Sequence, residues 1–284
     1  MIYESKYLFI EMEEITTSTT WSLVLSAILF FGGLLATVRL FVFHRNNPPD
    51  HEALSRVLTS RAWTVKQAGS VLGLLFLIYF FGSCIPHPSN EGQKQLTQLL
   101  LAFLMYAAIL VMINRIIRER NQNWATTFGF EHSKLGQLKL SPAIYLALLP
   151  ILMITTEGSY YLLELLNGAE PELQMVSQYI TGEIGWMKVL YILVAIFIAP
   201  VYEEIFFRGI IFPFIAKHYG LTASIIWTSI FFALMHFHLP SLVPLTLLST
   251  ALCLTHWRIE SLWPCIGVHM IFNTVSVTAL HLAG

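Results

Sequence analysis

Eight apolar stretches, each about as long as a bilayer is thick, constrain this chain more than any other feature of it. A transmembrane helix needs about 20 predominantly apolar residues. Inside hydrocarbon, every backbone polar group must be satisfied by a helix or a closed barrel. The stretches fall at roughly 21–43, 68–85, 96–117, 141–163, 187–214, 221–237, 239–256 and 261–281. They are long and continuous rather than short and alternating, which selects helices over barrel strands. Composition removes the alternatives. The chain is 56% hydrophobic and only 12% charged, where soluble domains carry about 25% charged residues. It therefore lacks the polar surface of a soluble enzyme or a disordered chain. Its 16 Lys and Arg against 17 Asp and Glu leave no basic excess for the phosphates of a nucleic-acid partner. The expected fold class is all-α: a polytopic membrane protein of about eight transmembrane helices, one integral membrane domain over 1–284. Short connections around His238 and Ser261 predict that the helices on either side of each are neighbours.

Charge placement sets the expected orientation. Arg39, Arg45, Arg56, Arg61 and Lys66 flank or fill the first loop, and Arg115, Arg118, Arg120, Lys134 and Lys139 the third. Lys217 and Arg258 fall in the fifth and seventh. The other side has only Lys6, Lys94 and Lys188, with the acidic fourth loop (Glu164, Glu170, Glu172, Glu183). Twelve basic residues against three is a strong positive-inside bias. The odd loops are expected in the cytoplasm and both termini outside.

Met1 to Thr20 carries Glu4, Glu11, Glu13 and Glu14 and lacks the basic start of a cleavable signal. Cys84, Cys253 and Cys265 all lie in apolar runs and give neither a disulfide framework nor a zinc spacing. The segment Asp50–Lys66 sets Leu54, Val57, Leu58 and Trp63 among charged residues at helical spacing. It reads either as an interfacial helix on the cytoplasmic leaflet or as a solvated loop with a helical turn. Trp124, Trp186 and Trp263 near span ends fit an aromatic belt. No internal repeat points to a duplicated transporter.

Ionisable residues within a span are costly and mark function by default. The fifth span contains Glu203, Glu204 and Arg208. Glu204 and Arg208 are four apart, on one helix face, and can pair. Glu203 points about 100° away and does not share that partner as easily. The spacing predicts a structural ion pair, Glu204–Arg208, beside a reactive carboxylate, Glu203. His236 ends the sixth span, and the eighth carries His269 and Asn273, again four apart. At about 1.5 Å per residue, Glu203, His236, His269 and Asn273 lie roughly 17, 23, 13 and 19 Å from the cytoplasmic ends of their helices, a common mid-bilayer level. Tyr202, Phe206, Phe207 and Phe232 flank these groups, as cavity wall or as ordinary helix packing.

One carboxylate, two imidazoles and one amide in an apolar wall suit attack by water on an amide carbonyl. The carboxylate serves as general base, and His236 can hold the same water or carry its proton. His269 and the Asn273 amide can donate to the oxyanion of the tetrahedral intermediate, where one donor is worth about 3 kcal/mol.

The motifs Glu-Glu-x-x-x-Arg at 203–208, Phe-x-x-x-His at 232–236 and His-x-x-x-Asn at 269–273, in that order on late helices, resemble the type II CAAX prenyl protease family. This family, also called the CAAX protease and bacteriocin-processing family, includes the Ras-converting endopeptidase. The motif resemblance covers residues 187–281, the core helices; residues 1–186 share only their multispan character. It implies an intramembrane glutamate endopeptidase without cofactor or metal. In that reading Glu203 and His236 activate water, His269 and Asn273 form the oxyanion hole, and Glu204 and Arg208 support them. The implied substrate is a prenylated or otherwise hydrophobic peptide at the bilayer, cut near its C-terminus. The site is expected to open toward the cytoplasmic side of the membrane, the cell membrane in a prokaryote.

Three other readings stand beside it. Glu203, His236 and His269 could ligate zinc in a membrane hydrolase, although His-Glu-x-x-His is missing. Cys265, His269 and Asn273 fall on one helical stripe and imitate a cysteine-protease set, which leaves the glutamates without a task. Buried Glu and His also occur in transporters and in non-catalytic membrane scaffolds or immunity proteins.

Overall fold

The computed structural model describes residues 2–85, 90–168, 174, 177–178 and 185–283, with side chains for all of these except 2–23, 91, 132–134 and 281–283. Glu170, Glu172 and Glu183 of the fourth loop lie outside the described residues, as do the side chains of Glu4, Lys6, Glu11, Glu13, Glu14 and Lys134. In chain order come α1 (Ile2–Asn46), the short α2 (His51–Ser60), α3 (Val65–Ser83), α4 (Glu91–Glu119) and the small α5 (Trp124–Phe128). A 3-10 segment, His132–Leu140, leads into α6 (Ser141–Asn167). Then follow α7 (Trp186–Leu193), α8 (Ala199–Phe206), α9 (Phe212–Leu234), α10 (Leu242–Ile259) and α11 (Trp263–Ala283). Among the described residues there is no strand.

Seven of the described helical segments are long and apolar enough to cross a membrane. One of them, Trp186–Leu234, is 49 residues long and contains both the fifth and the sixth expected spans. It breaks at Gly220, where φ is 83° and ψ 171°. Glycine enters that region without the steric penalty other residues meet, so 212–219 and 221–234 are separate helical limbs. The expected boundary between the two spans falls there. The other spans match their expected positions to within a few residues.

The closest helix pair is α9 with α10, joined by the short turn at His238, and α10 also touches α11 across Ser261. Both expected neighbour pairs are therefore adjacent. Helix α6 packs against α1, α10 and α11 and ties the first span to the last. The main core runs from α3, α4 and α6 to α8–α11 and includes Val71, Ile109, Leu152, Phe206, Phe232, Leu248 and Val268.

The amphipathic segment forms α2, started by Asp50 accepting the Ala53 N–H at 2.9 Å. Its apolar side is not laid on a leaflet. Leu54 and Leu58 pack against Phe212, Ala216, Cys253 and Trp257, so α9 and α10 cover it. The loop is also stapled by Arg61, which donates to Glu260 O at 2.8 Å. Of the three belt tryptophans, Trp186 is exposed. Trp124 and Trp263 instead pack on Phe128 and Phe130.

Candidate active site

Both glutamates sit on α8, and α8 lies between two π-helical turns, Val194–Ile198 and Phe207–Ile211. Two prolines account for what those turns leave open. Proline lacks the N–H that would close a helix onto a preceding carbonyl. In the first π turn Ala199 N–H donates to Val194 O, and the next donor in that register falls on Pro200. The Ala195 carbonyl is thereby freed, and Asn273 Nδ2 on α11 donates to it at 2.7 Å. In the second, Phe212 N–H donates to Phe207 O, five residues back; when the ordinary four-back register resumes, the N–H due to Gly209 O would come from position 213, a proline. Trp63 Nε1 supplies that donor at 2.8 Å. Single π turns recur at functional sites; each one here exchanges a bond within the helix for a contact to a distant segment.

The two glutamates occupy different surroundings. Glu204 and Arg208 are both 0% exposed, with Arg208 Nη1 donating to Glu204 Oε1 at 2.9 Å. The same oxygen accepts from His269 Nδ1 at 2.9 Å. Arg208 is held further by Ser249, whose hydroxyl accepts from Nη2 at 2.8 Å. Its guanidinium also lies 4.7 Å above the Phe232 ring. A buried ion pair needs its remaining donors and acceptors satisfied, and these contacts meet part of that need; Glu204 Oε2 and Arg208 Nε stay buried without a partner among the described residues. Glu203 has none of them. Its side chain is 23% exposed, and its Oε2 faces His269 Nε2 at 3.7 Å, beyond hydrogen-bond range. That buried oxygen has no hydrogen-bond partner among the described residues.

His269 therefore stands between the glutamates. A carboxylate oxygen can only accept, so Nδ1 carries a proton and Nε2 is turned to Glu203. The sequence placed His269 beside Glu203 but not in the grip of Glu204. Sixty-five positions separate Glu204 from His269, and no spacing rule reaches that far.

His236 lies just beyond the end of α9, in the turn after Leu234, rather than inside a span as expected. Phe237 follows with φ 48°, which reverses the chain there. His236 Nδ1 lies 2.8 Å from Phe232 O. A carbonyl accepts only, which leaves Nε2 with its lone pair. The His236 and His269 rings contact the same Phe232 ring, at 4.8 and 5.6 Å between centroids. Among the described residues, no hydrogen bond joins His236 or Asn273 to either glutamate. The structure thus gathers Glu203, Glu204, Arg208 and His269 directly. It brings His236 to them through Phe232, and Asn273 through the Ala195 carbonyl.

Cys265 belongs to the packing. It is 0% exposed, and its thiol donates to Leu252 O at 3.4 Å, while His269 Nδ1 is committed to Glu204. Among the described residues no three His, Cys, Asp or Glu side chains converge as a metal-ligand set. Ser249, Trp63 and the pivotal place of Phe232 were not anticipated. Their signals were a serine in an apolar run and two prolines within a helical one.

A family comparison bears on these same helices. Residues 185–275 match the model of the Rce1-like family, described as type II CAAX prenyl endopeptidase Rce1-like. No curated protein and no solved structure matches the chain. The Rce1-like match takes in all seven motif residues, from Glu203 to Asn273. Rce1-like proteins of this type are membrane proteases, hydrolases of the CAAX kind. The apolar helices that carry the Rce1-like segment make this an integral membrane protein.

Proposed function

We propose that this protein cuts a peptide bond near the C-terminus of a prenylated or otherwise membrane-associated peptide, using water activated by Glu203 and His236. The observation that carries the reading is the unequal partnering of two adjacent glutamates. Glu204 is bound on one oxygen by Arg208 and His269, which makes it a support. Glu203 is 23% exposed, has no such bond, and faces an imidazole nitrogen at 3.7 Å, which leaves it able to take a proton.

A water beside the Glu203 Oε2–His269 Nε2 gap of 3.7 Å can hydrogen-bond both atoms. Glu203 accepts a proton from that water as it attacks the scissile carbonyl. His236 Nε2, unprotonated in this tautomer, accepts a proton from the same water or passes it to the departing amine. The developing oxyanion then needs donors. Asn273 gives one N–H of its amide to Ala195 O and keeps the second to offer. His269, whose Nδ1–H is held by Glu204, donates from Nε2 only as the imidazolium, once it has taken a proton from the water. Oriented donors of this kind are each worth about 3 kcal/mol in the transition state. The arginine-rich odd loops favour a site opening toward the cytoplasm, where a lipidated tail would approach with its lipid remaining between helices.

The test is cleavage of a farnesylated CAAX peptide by purified protein in detergent or liposomes, with and without chelator. Glu203→Gln is expected to lose about 10³-fold in turnover, the scale of a general base, with thermal stability preserved. Chelation is expected to change nothing. Full turnover by Glu203→Gln would remove the glutamate mechanism. Loss of turnover on chelation, restored by zinc, would move the same residues to a metal hydrolase.

A further inference from the structure

Among the buried polar groups that this mechanism leaves unused, one adjoins Glu203 in the helix. Tyr202, the residue before Glu203, is 7% exposed, and its phenol oxygen is buried with no hydrogen-bond partner among the described residues. Its ring is well fixed. It lies 4.3 Å from the Tyr106 ring of α4 and stacks on Phe206 at 6.3 Å with 5° between planes. Tyr202 is the helix neighbour of Glu203, so the ring pair lies at the same turn of α8 as the reacting group. Helix α4 makes its closest helix contacts with α3 and α5 and meets α8 here through side chains. The α4–α8 seam is thus a ring-to-ring contact ending beside the partly exposed Glu203.

A buried hydroxyl without a partner is costly, and phenylalanine would fill the same space without that cost. A peptide entering this core has the complementary need. Its backbone N–H and C=O groups leave water and must find partners in the protein. We propose that Tyr202, braced by Tyr106, is a substrate-binding residue: its hydroxyl donates to a backbone carbonyl of the bound peptide next to the scissile bond. The substrate then lies along the α4–α8 seam, and the phenol holds its main chain independently of side-chain identity. This inference rests on the hydrolytic reading above and adds the position of the peptide within it.

The experiment is steady-state cleavage of the farnesylated CAAX peptide by Tyr202→Phe, Tyr106→Phe and Glu203→Gln, with thermal melting of each. For Tyr202→Phe the expected result is a five- to tenfold rise in KM, the scale of one neutral hydrogen bond, with kcat within twofold. Its melting temperature should be unchanged or raised, because an unpartnered buried hydroxyl has gone. A merely structural tyrosine would lower melting and leave KM alone. Tyr106→Phe keeps the bracing ring and should leave KM within twofold. If Tyr202→Phe shows wild-type KM while Glu203→Gln is inactive, this inference fails and the hydrolytic one stands. If Glu203→Gln cleaves normally, the hydrolytic reading fails, whatever Tyr202→Phe does.

Discussion

The first half of the chain and the last third face the membrane problem with different materials. In α1 only 6% of the spanning window is buried and in α3 11%, against 50% in α10. Helices α1, α3 and α4 show apolar side chains outward, such as Ile28, Phe31, Phe76 and Val111. The last third buries Glu204, Arg208, Ser224, Ser229, Ser249 and His269 at 2% exposure or less. Lipid tails are as apolar as leucine, so the hydrophobic effect gives two such helices no reason to meet in a bilayer. Polar groups that find each other do. The last third is therefore held by directional bonds and the first half chiefly by shape, which is why a defined site sits where it does.

The sharpest way to break that contrast is to unpair the buried charge. Arg208→Met leaves Glu204 without its guanidinium and Ser249 without a donor. Removing one partner from a buried pair costs about 3–5 kcal/mol, so the variant is expected to melt far earlier and to lose cleavage with its fold. Glu203→Gln, one turn away, is expected to lose cleavage with its melting point intact. Measuring both properties on both variants separates support from chemistry. Equal melting losses would show that the two carboxylates are not divided in role.

Next in size is Gly209→Ala. A methyl group there runs into the Phe128 ring, on the same residue whose carbonyl accepts from Trp63. Overpacking of this kind costs about 1–3 kcal/mol. The expected signature is earlier melting with wild-type KM in the protein that remains folded. Trp63→Phe is milder. It keeps the stack on Phe128 but withdraws the indole N–H from Gly209 O, a loss of about 1 kcal/mol, readable as a modest fall in melting temperature.

Much of this was legible before any coordinates. Run length and charge placed the spans, because both are local properties of the chain. The Glu204–Arg208 pair followed from four-residue spacing on one helix. What lay beyond reach was long-range or depended on context. His269 bonds Glu204 from another helix, and Ser249 meets Arg208 from a third. The amphipathic pattern of α2 was visible, but a leaflet and a protein groove offer such a face the same apolar surface, so the pattern alone could not choose. His236 was read into a span because Phe237 and Leu239 continue the apolar run, whereas the chain turns at Leu234. Pro200 and Pro213 carry a signal that hydrophobic periodicity does not read. Each marks a carbonyl that must find its donor elsewhere, and each of those donors, Asn273 and Trp63, ties the site to another part of the protein.

The smallest expected effect tests the quiet half of the comparison. Among the described residues, helix α1 meets α6 through one cross-helix hydrogen bond, Thr37 Oγ1 donating to Ala147 O at 2.7 Å, in an exposed position. The same hydroxyl also lies 2.9 Å from Gly33 O on its own helix. Thr37→Val keeps the β-branched shape and removes only the hydroxyl. Hydrogen bonds between membrane helices average about 0.6 kcal/mol, and the internal alternative at Gly33 makes this one easier to lose. Melting should fall barely beyond error, with cleavage unaffected. A drop on the scale of Arg208→Met would mean that α1 is bound into the fold as firmly as the last third. The division between a shape-packed half and a bond-locked one would then have to be given up.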